Sequence, residues 1–463
     1  MIIMKFGGTS VEDARAMKNV IEIVLRERER KPIVVLSAIA GATNSLLRSA
    51  QRALDGDLVK AHGELNDLLE RHVLLLENLI DNRSDVQQLI LSIRKRFDEL
   101  KTLCQGIAIL GELTNRSLDA IGSLGEQLST MIFARAMAER GHPVELVDAR
   151  TFIITDEQYA SAAPLFDRIA QEAEVRILPF VQAEKIVVTQ GFVGSTVKGV
   201  TTTLGRGGSD YSAAIIGAAL KAEEIQIWTD VDGVLTADPR IAPAAKKLKV
   251  ISFREASELA YFGAKVLHPS TILPAVEKNI PVIVLNSKRP QSSGTRIVAD
   301  PPKSKVAVKS IASKKGITVI NIQSSRMLMA YGFLSSIFSV FQRHQTAVDL
   351  VSTSEVAVSL TIDNTSRLDQ IVADLRGYAE VNVYEKKAII CVVGEQMRST
   401  AGVADRVFHA LNDITVTMIS QGASEINMSL VIDEDSMVRA VQQLHKEFFE
   451  PMPEHDLFEE VDA

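Results

Sequence analysis

The feature that most constrains the fold is the alternation of strand and helix patterns over residues 2–36. Residues 2–6 are apolar, as in a buried strand, and end at the pair Gly7-Gly8. Apolar residues between 14 and 25 then recur on one helical face, and a second apolar run covers 33–36. Strand, helix and strand within about forty residues predict a βαβ crossover, and therefore a parallel sheet.

The same alternation continues through a large α/β domain that is predicted to end near residue 297. Residues 56–104 are predicted to be helical, with Ser84 and Gln87 forming a capping box. Glycines among β-forming residues predict a hairpin over 192–204. Further apolar runs that predict strands are 144–147, 177–181, 186–193, 225–228 and 282–285. A stretch rich in proline and lysine at 300–305 predicts a linker.

The last third of the chain contains an internal repeat. Gly332 and Phe338 have the same spacing as Gly402 and Phe408. Further on, both copies read Ser-Glu, three residues, Ser-Leu, one residue and Ile-Asp. Spacing that is kept at several points indicates two copies of one small β-α-β-β-α-β unit.

Composition excludes several classes of protein. The 463 residues are 46% hydrophobic with a net charge of −7, which argues against disorder and against binding of nucleic acid or an anionic membrane. No apolar run is long enough to span a bilayer, and the first residues do not resemble a signal peptide. Cys104 and Cys391 form neither a disulfide framework nor a zinc pattern. We therefore expect a cytoplasmic enzyme with free thiols.

The run Lys5-Phe6-Gly7-Gly8-Thr9-Ser10 places a lysine at the end of a strand, before two glycines and a helix start. Glycines let the backbone approach a phosphate, and a helix N-terminus directs free N–H groups toward it. The spacing is not that of a P-loop. The run predicts a phosphate site, with a tight turn as the alternative for the glycine pair.

A second glycine-rich run, Gly205-Arg206-Gly207-Gly208-Ser209-Asp210, is more specific. Three glycines in four positions are costly unless the backbone lies close to something. Arg206 and Ser209 suit a carboxylate or a phosphate. Asp210 is predicted to cap a helix over 211–220, and capping is the alternative role for Ser209 as well.

Polar residues also follow the apolar strand 225–228, in Thr229-Asp230-Val231-Asp232-Gly233. In open α/β sheets, ligands bind at the carboxyl ends of strands. Asp232-Gly233 and Asp238-Pro239-Arg240 also read as turns. Lys265, just after a predicted helix end at Gly263, is placed to meet nucleotide phosphates or is simply a solvated lysine. His268 before proline is read as structural.

Together these runs resemble the aspartokinases of the amino acid kinase family. The resemblance covers essentially the whole chain and rests on Lys5–Ser10, Ser37-Ala38, Gly125-Glu126, Thr203–Tyr211 and Phe262–Pro269. It implies an α/β amino-acid kinase fold, a mainly parallel sheet sandwiched by helices, followed by two ferredoxin-like βαββαβ ACT domains. The implied parts are a catalytic domain at 1–297 (substrate side first, nucleotide side from about 200), a linker at 298–310 and ACT domains at 311–385 and 386–463, with boundaries that can interleave.

The family phosphorylates the β-carboxylate of L-aspartate with ATP and Mg²⁺, toward lysine, threonine, methionine and, in bacteria, diaminopimelate. A carboxylate nucleophile is already ionised at pH 7, so no general base is required. The resemblance implies catalytic roles for Lys5 and Asp210, and substrate binding by Thr43, Glu126 (to the α-ammonium), Arg206 and Ser209. It implies phosphate or ATP binding by Gly7, Gly8, Ser37, Thr229, Asp230, Leu235, Arg240 and Lys265. Leu235 stands where aspartokinases often have tyrosine beside the adenine. No protein ligand is assigned to the metal.

The first ACT-like unit resembles the lysine-sensitive aspartokinases most. In these enzymes a strand-to-helix turn binds L-lysine through main-chain groups, and Asp349 and Glu355 would meet the ε-ammonium or shape the pocket. The residues implied are Met327, Ala330 (often serine in the family), Phe333, Leu334, Val348, Asp349, Ser354 and Glu355. ACT domains commonly pair edge to edge, which implies a homodimer or tetramer.

Other functions fit part of the pattern. Acetylglutamate or glutamate kinase would share the catalytic fold, but Thr203–Tyr211 and the tandem repeat fit aspartokinase better. A fused homoserine dehydrogenase is not expected, since only a short acidic tail follows the second repeat. A non-enzymatic amino-acid sensor would not need Lys5, Glu126, Arg206 and Asp210 together.

Overall fold

The computed structural model describes residues 1–263, 267, 269–302, 304, 306–324, 331–450 and 457–459. The strands are β1 Ile2–Phe6, β2 Pro32–Leu36, β3 Val144–Leu146, β4 Ile154–Thr155, β5 Ile186–Gln190, β6 Val193–Thr196, β7 Thr201–Thr203, β8 Glu224–Thr229, β9 Lys247–Leu248, β10 Val250–Ser252, β11 Val282–Asn286, β12 Thr295–Val298, β13 Val308–Gln323, β14 Val351–Thr353, β15 Ala357–Ile362, β16 Glu380–Gly394, β17 Val416–Gln421, β18 Asn427–Asp433 and β19 Phe458–Glu459. The helices are α1 Ala14–Arg26, α2 Ala42–Leu54, α3 Leu58–Leu79, α4 Arg83–Leu110, α5 Asn115–Gly122, α6 Leu124–Glu139, α7 Phe166–Arg176, α8 Leu178–Gln182, α9 Gly208–Leu220, α10 Phe253–Tyr261, α11 Leu273–Glu277, α12 Phe333–Arg343, α13 Leu368–Arg376, α14 Val403–Ala410 and α15 Met437–Phe449.

The chain forms two compact units. The first unit comprises Met1–Gly233, Val250–Phe253 and Val266–Pro301, and the second comprises Val234–Lys249, Arg254–Lys265 and Pro302–Ala463. The second unit therefore takes in two segments that lie, in sequence, within the predicted catalytic part. The predicted linker overlaps the last residue of β12 and the first residues of β13.

A mainly parallel sheet forms the centre of the first unit, in the order β10-β12-β11-β8-β1-β2-β5-β3. β1 is parallel to both β2 and β8, as the βαβ pattern predicts, and only the pairing of β11 with β12 is antiparallel among those described for this sheet. The carboxyl ends of β1, β2 and β8 therefore lie side by side, which is where ligands bind in such sheets.

Alternate residues of β1 explain why helices cover both faces of this sheet. Ile2, Met4 and Phe6 belong to a fully buried aliphatic core that includes residues of α1, α2 and α6. Ile3 points the other way, and its Cγ1 lies 3.5 Å from the position of a Cβ on Gly217 of α9. A strand that is buried on both faces cannot alternate with polar residues, which is the reason for its continuous apolar run.

Two local predictions are wrong, and one is confirmed. Residues 177–181 form no strand, because Pro179 lies in the first turn of the short helix α8, where its fixed φ is favourable. Asn82, and not Ser84, caps α4. Its side chain accepts hydrogen bonds from the N–H groups of Ser84 and Asp85. The predicted hairpin is formed by antiparallel β6 and β7.

The second unit contains an antiparallel sheet in the order β14-β15-β13-β16-β18-β17. Helices α12 and α13 bury their apolar faces against β13, β15 and β16, around Ile320, Val340 and Leu360. This is the β-α-β-β-α-β order that the first repeat copy predicts.

The two copies share their longest strands. In β13, Thr318–Gln323 pair with β15, and Ile317–Gln323 pair with the first half of β16. Val308–Lys314 pair with the second half of β16. The second copy is β16-α14-β17-β18-α15, and the first half of β13 lies where its last strand would be. Its own final strand, β19, pairs with β9 instead. The two copies therefore interleave at β13 and β16, as the predicted boundaries allow.

Candidate active site

All four predicted substrate residues and both predicted catalytic residues line one cavity of about 280 Å³. It lies beyond the carboxyl ends of β1 and β2, where the N-termini of α2, α6 and α9 converge. The lining residues are Lys5, Ser37, Thr43, Glu126, Phe192, Gly205, Arg206, Gly207, Gly208, Ser209 and Asp210. Sequence motifs spread over some 200 positions are thus brought together by the parallel sheet.

Lys5 and Asp210 form an ion pair at the inner wall of this cavity. The Lys5 Nζ lies 2.6 Å from an Asp210 carboxylate oxygen, and both side chains are largely buried. Asp210 does not cap a helix over 211–220, because α9 begins three residues earlier with Gly207 as its cap. The carboxylate is therefore free to hold Lys5, which is the role that the family resemblance implies.

The N-terminus of α9 supplies main-chain donors to the same wall. Gly207 has a φ of 73°, a left-handed conformation that glycine adopts without strain, and this turn starts the helix at Gly208. The first N–H groups of a helix have no partner within it, and they favour an anion together with the helix dipole. Ser209 and Asp210 lie in this first turn, so their amides can receive a phosphate or carboxylate.

Glu126 is a buried carboxyl without a counter-ion among the described residues. It lies in the first turn of α6, and its Oε2 has no hydrogen-bond partner within the described part of the chain. Burial raises the pKa of Glu126 to about 8, although N–H groups of Ala38 and of Glu126 itself partly oppose this. Gly125 makes the approach possible, since a Cβ there would lie 2.6 Å from the Ala38 Cβ. A ligand ammonium would complete this environment.

Arg206 lies at the mouth of the cavity and is exposed. No carboxylate of the described residues is within salt-bridge distance of its guanidinium. A free, forked cation in a glycine-rich loop is suited to the bidentate binding of a carboxylate. Thr43, at the second position of α2, completes the polar lining.

In two of the predicted phosphate-binding residues, the main-chain N–H group is already engaged. The Gly7 N–H donates to the Trp228 carbonyl at 3.0 Å, and the Ser37 N–H donates to the Phe6 carbonyl at 3.1 Å. Both amides extend the sheet ladders and are not free for a phosphate. Gly8 keeps its close approach, since a Cβ there would lie 3.0 Å from the Ala38 carbonyl oxygen.

Thr229 is the last residue of β8 and Asp230 follows it, at the start of the loop for which a nucleotide contact is predicted. The Thr229 carbonyl accepts hydrogen bonds from the N–H of Ser287 at 2.8 Å and from its Oγ at 3.1 Å. Asp232 is paired with Arg289 and accepts from the Asn286 Nδ2. The end of β11 therefore positions this loop. Sequence reasoning missed this contribution, because Asp232-Gly233 reads equally well as a turn.

The other predicted nucleotide residues belong to the second unit or lie outside the described residues. Leu235 is half-buried, and its main chain forms an isolated antiparallel β-bridge with Lys247. Arg240 is exposed, and its guanidinium forms a bidentate pair with Asp238. Lys265 lies outside the described residues, so its predicted role stays a prediction.

Two other contributors gave little signal in the sequence. Phe192 lines the cavity with a φ of 66°, and its N–H donates to the Ser212 Oγ. Ser129 donates from its Oγ to the Ser37 carbonyl at 2.7 Å, which fastens the end of β2 to α6. Neither residue belongs to a recognisable motif, because each acts through a partner that is distant in sequence.

The predicted effector residues lie on several elements of the second unit. Phe333 and Leu334 begin α12, Val348 is half-buried, and Ser354 and Glu355 are exposed in the turn between β14 and β15. Ser354 closes this turn, since its Oγ accepts from the Ala357 N–H. Met327 and Ala330 lie outside the described residues.

The side chain of Asp349 is almost fully buried and is already engaged. One carboxylate oxygen accepts from the Tyr261 hydroxyl at 2.8 Å and lies 3.2 Å from the Lys314 Nζ. Lys314 also pairs with Asp363 at 2.8 Å, and its ammonium lies over the Tyr261 ring. Burial lowers the pKa of Lys314, but the two carboxylates outweigh it and raise the pKa overall. The surroundings of Asp349 thus already hold one ammonium group.

Within the described part of the chain, no group of three or more acidic, histidine or cysteine side chains could hold a metal ion. The described helices include none that is long and apolar enough to cross a membrane.

Comparison with known proteins places this cavity in a family context. The amino acid kinase family matches residues 1–286, and an ACT domain matches residues 390–448. Aspartokinase 3, chloroplastic, of Arabidopsis thaliana is 40% identical over 97% of this chain and 81% of its own length. Lysine-sensitive aspartokinase 3 of Escherichia coli is 37% identical over 97% of this chain and 99% of its own. The crystal structure of E. coli aspartokinase III with aspartate and ADP matches with a TM-score of 0.83 and 36% identity, over 97% of this chain and all of that one.

Proposed function

Because this chain belongs to the aspartokinases of the amino acid kinase family, we propose that it transfers the γ-phosphoryl group of ATP to the β-carboxylate of L-aspartate. The products are 4-phospho-L-aspartate and ADP. Related proteins with these names cover nearly the whole chain, and one of them has been crystallised with aspartate and ADP.

The observation that carries the proposal is the polarity of the cavity. One side holds Glu126, a buried carboxyl that lacks a cation among the described residues. The lining also holds Lys5, the α9 N-terminus and the guanidinium of Arg206, which has no carboxylate partner among the described residues. A free amino acid offers an ammonium for Glu126 and carboxylates for the positive groups. A phosphoryl group suits the wall with Lys5.

The reaction requires charge neutralisation more than proton transfer. A β-carboxylate oxygen attacks the γ-phosphorus, an O–P bond forms, and the bond from phosphorus to the β,γ-bridging oxygen breaks as ADP leaves. Lys5 neutralises charge on the transferred group, and Asp210 holds its ammonium in place. The first-turn amides of α9 remain fixed throughout, so they need no reorganisation as charge develops.

Thr229 and Asp230 are proposed to bind the nucleotide, and hydrogen bonds fasten their loop to the end of β11. Leu235, Arg240 and Lys265 remain proposed nucleotide contacts. Mg²⁺ commonly binds through one or two carboxylates plus substrate phosphates, so a protein-only cage is not required. It would neutralise the β- and γ-phosphates when bound. Among the cavity lining, Asp210 is the carboxylate that lies beside Lys5.

A hydroxamate assay tests the proposal directly. Hydroxylamine traps an acyl phosphate, so the chain with ATP, Mg²⁺ and L-aspartate should yield aspartyl hydroxamate in step with ADP. L-Glutamate and N-acetylglutamate in parallel separate the alternative kinases. N-Acetylglutamate carries no ammonium and would leave Glu126 without a partner. Turnover of either compound in preference to aspartate would contradict the proposal, and absence of ADP formation with all three would favour a sensor.

L-Lysine is the proposed inhibitor of this kinase, and the second unit is its proposed site. Support comes from the name of the E. coli relative and from the surroundings of Asp349, which stabilise the ammonium of Lys314. An effector ammonium would compete with Lys314 for this carboxylate. Glu355, Ser354 and the start of α12 are proposed to complete the site.

Replacement of Asp349 by alanine should raise the concentration of L-lysine needed for half-inhibition at least tenfold, since hydrogen bonds to charged groups contribute about 1.5–3 kcal/mol. The uninhibited kcat should change little. Asp363→Ala is the matched control, because it also removes a partner of Lys314 but lies outside the proposed effector site. Steady-state assays with lysine, threonine and methionine decide the effector, and inhibition by threonine alone would contradict the proposal.

The wider role is proposed on the same basis. The product would be the first intermediate toward lysine, threonine and methionine. Both cysteines are free and buried, which supports a reducing compartment such as the cytoplasm. Strands β14 and β17 are the edges of the second unit's sheet, and pairing of such edges between copies would give a homodimer or tetramer.

A further inference from the structure

Asp119, on α5, is a buried carboxylate that no substrate role accounts for. It is 1% exposed, and it forms no ion pair with a cation among the described residues. Its two oxygens accept four hydrogen bonds instead. Both oxygens accept from the Ala160 N–H, at 3.1 and 3.0 Å. The Thr203 N–H donates at 3.1 Å, and the Thr203 Oγ1 donates at 2.6 Å.

These bonds fix the backbone that leads to Arg206. Thr203 is the last residue of β7, three positions before the guanidinium at the cavity mouth. The Thr203 carbonyl accepts from the Ala162 N–H at 2.9 Å. The loop around Ala160, which Asp119 holds, is therefore also hydrogen-bonded to β7. The Ala160 carbonyl oxygen also lies close to Gly205, since a Cβ at Gly205 would lie 3.2 Å from it. One carboxylate therefore ties α5, the loop around Ala160 and the root of the glycine-rich loop together.

The chemistry of the three donor groups explains why this residue is an aspartate. An ionised carboxylate accepts only, and it has room for about four hydrogen bonds. An asparagine would turn an NH₂ group toward at least one of the N–H donors. Ala160 itself has a φ of 70°, unusual for a residue other than glycine, and such a conformation persists only where the surroundings hold it.

We propose that Asp119 is a positioning residue that holds Arg206 in place to bind the substrate carboxylate, acting through Thr203 and Ala160. This inference rests on the proposed aspartate kinase function for its kinetic consequence, but its structural half does not depend on it. Asp119 does not touch the substrate. Its loss should therefore weaken aspartate binding without slowing phosphoryl transfer to a comparable extent.

The kinetic test is Asp119→Asn. The KM for aspartate should rise roughly threefold to tenfold, while kcat and the KM for ATP change less than about twofold. Asp156→Asn is the matched control, because Asp156 accepts from the Gln158 and Ala163 N–H groups of the same loop but not from β7. Its aspartate KM should stay near that of the wild type. An unchanged KM in Asp119→Asn, or a fall in kcat of the same size, would overturn the proposal.

A double-mutant cycle separates positioning of Arg206 from general loosening. In an Arg206→Ala background, Asp119→Asn should leave the aspartate KM unchanged, since the group that it positions is gone. Equal effects in both backgrounds would contradict the proposal. Thr203→Val removes only the hydroxyl donor, so it should also raise the aspartate KM, but by a smaller factor. It serves as the test if Asp119→Asn fails to fold.

Limited trypsin digestion supplies a readout that does not depend on the substrate. Arg206 is exposed, so the bond that follows it reports on how firmly the loop is held. Cleavage there should be several-fold faster in Asp119→Asn than in the wild type or in Asp156→Asn. Equal cleavage rates would overturn the structural half even if the chain proved to phosphorylate another amino acid. Faster cleavage in a chain without aspartate turnover would instead place the failure in the proposed function.

Discussion

Replacement of Lys5 by alanine is expected to lower kcat by about 10²–10³-fold, as does the loss of one preorganised donor to a developing anion. The KM for aspartate should change little, because the proposed contacts of the amino acid are Glu126 and Arg206, and not Lys5. Lys5 is the cation of the inner wall, held 2.6 Å from Asp210. Its charge is needed most when negative charge builds up on the transferred phosphoryl group, so the loss falls on the transition state.

Two controls make the Lys5 result specific. Lys18→Ala removes an exposed lysine of α1, the helix that follows the same glycine turn, and should leave both constants unchanged. Thermal unfolding of Lys5→Ala measures the stability that is lost when Asp210 has no cation beside it. This control separates a loss of stability from a loss of catalysis. A variant that folds and retains the wild-type kcat would contradict the catalytic role of Lys5.

The parts of the fold that local sequence determines were predictable. The βαβ crossover over residues 2–36 and the repeat in the last third both follow from short-range patterns, and the structure contains both. The strand prediction for residues 177–181 failed because apolar residues such as Ile177 and Val181 occur in buried helices as well as in strands. Pro179 favours the first turn of a helix. The sharing of β13 between both repeat copies was not predictable in detail, because strand partners are set by contacts between residues some 80 positions apart.

The candidate site divides in the same way. Lys5, Arg206 and Asp210 stand in glycine-rich motifs, and those motifs exist because the backbone must turn tightly there. Sequence could not reveal that the Gly7 and Ser37 amides are consumed by sheet ladders. The four bonds of Asp119 and the engagement of Asp349 by Tyr261 and Lys314 join residues separated by tens of positions. Such contacts depend on the packed tertiary structure, and short motifs carry no trace of them.

The second large effect is expected from Glu126→Gln. At pH 8 this change should raise the KM for aspartate roughly 10- to 100-fold, which corresponds to the loss of a charge-assisted hydrogen bond to the α-ammonium. The kcat should fall less, because Lys5 and the α9 N-terminus are untouched. Glu139→Gln is the matched control, because Glu139 is half-buried at the other end of the same helix, and it should leave the aspartate KM unchanged. An unchanged KM in Glu126→Gln would remove the ammonium role from this carboxyl.

The pH dependence of this difference tests the same point more strictly. Burial raises the pKa of Glu126 to about 8, so in the free enzyme the carboxyl is mostly protonated at pH 6. Binding of the ammonium requires the carboxylate, and the wild-type KM for aspartate should therefore fall about tenfold per pH unit from pH 6 toward 8. Glu126→Gln has nothing to titrate there, so its KM should lack this slope and approach the wild-type value at pH 6.

Glu126→Gln should weaken aspartate binding without lowering the stability of the fold. This combination would exclude misfolding as the cause of the higher KM. The pKa of Glu126 is higher in the folded chain than its ordinary value of 4.5, so the folded state binds more protons between pH 4.5 and about 8. The wild type therefore loses stability from this group as the pH rises through that window. Glu126→Gln escapes the loss and should unfold at the same or a higher temperature than the wild type at pH 8. A variant that binds aspartate poorly while being no less stable would assign the effect to the missing carboxylate. A parallel slope of KM with pH in both proteins would assign the titration to another group.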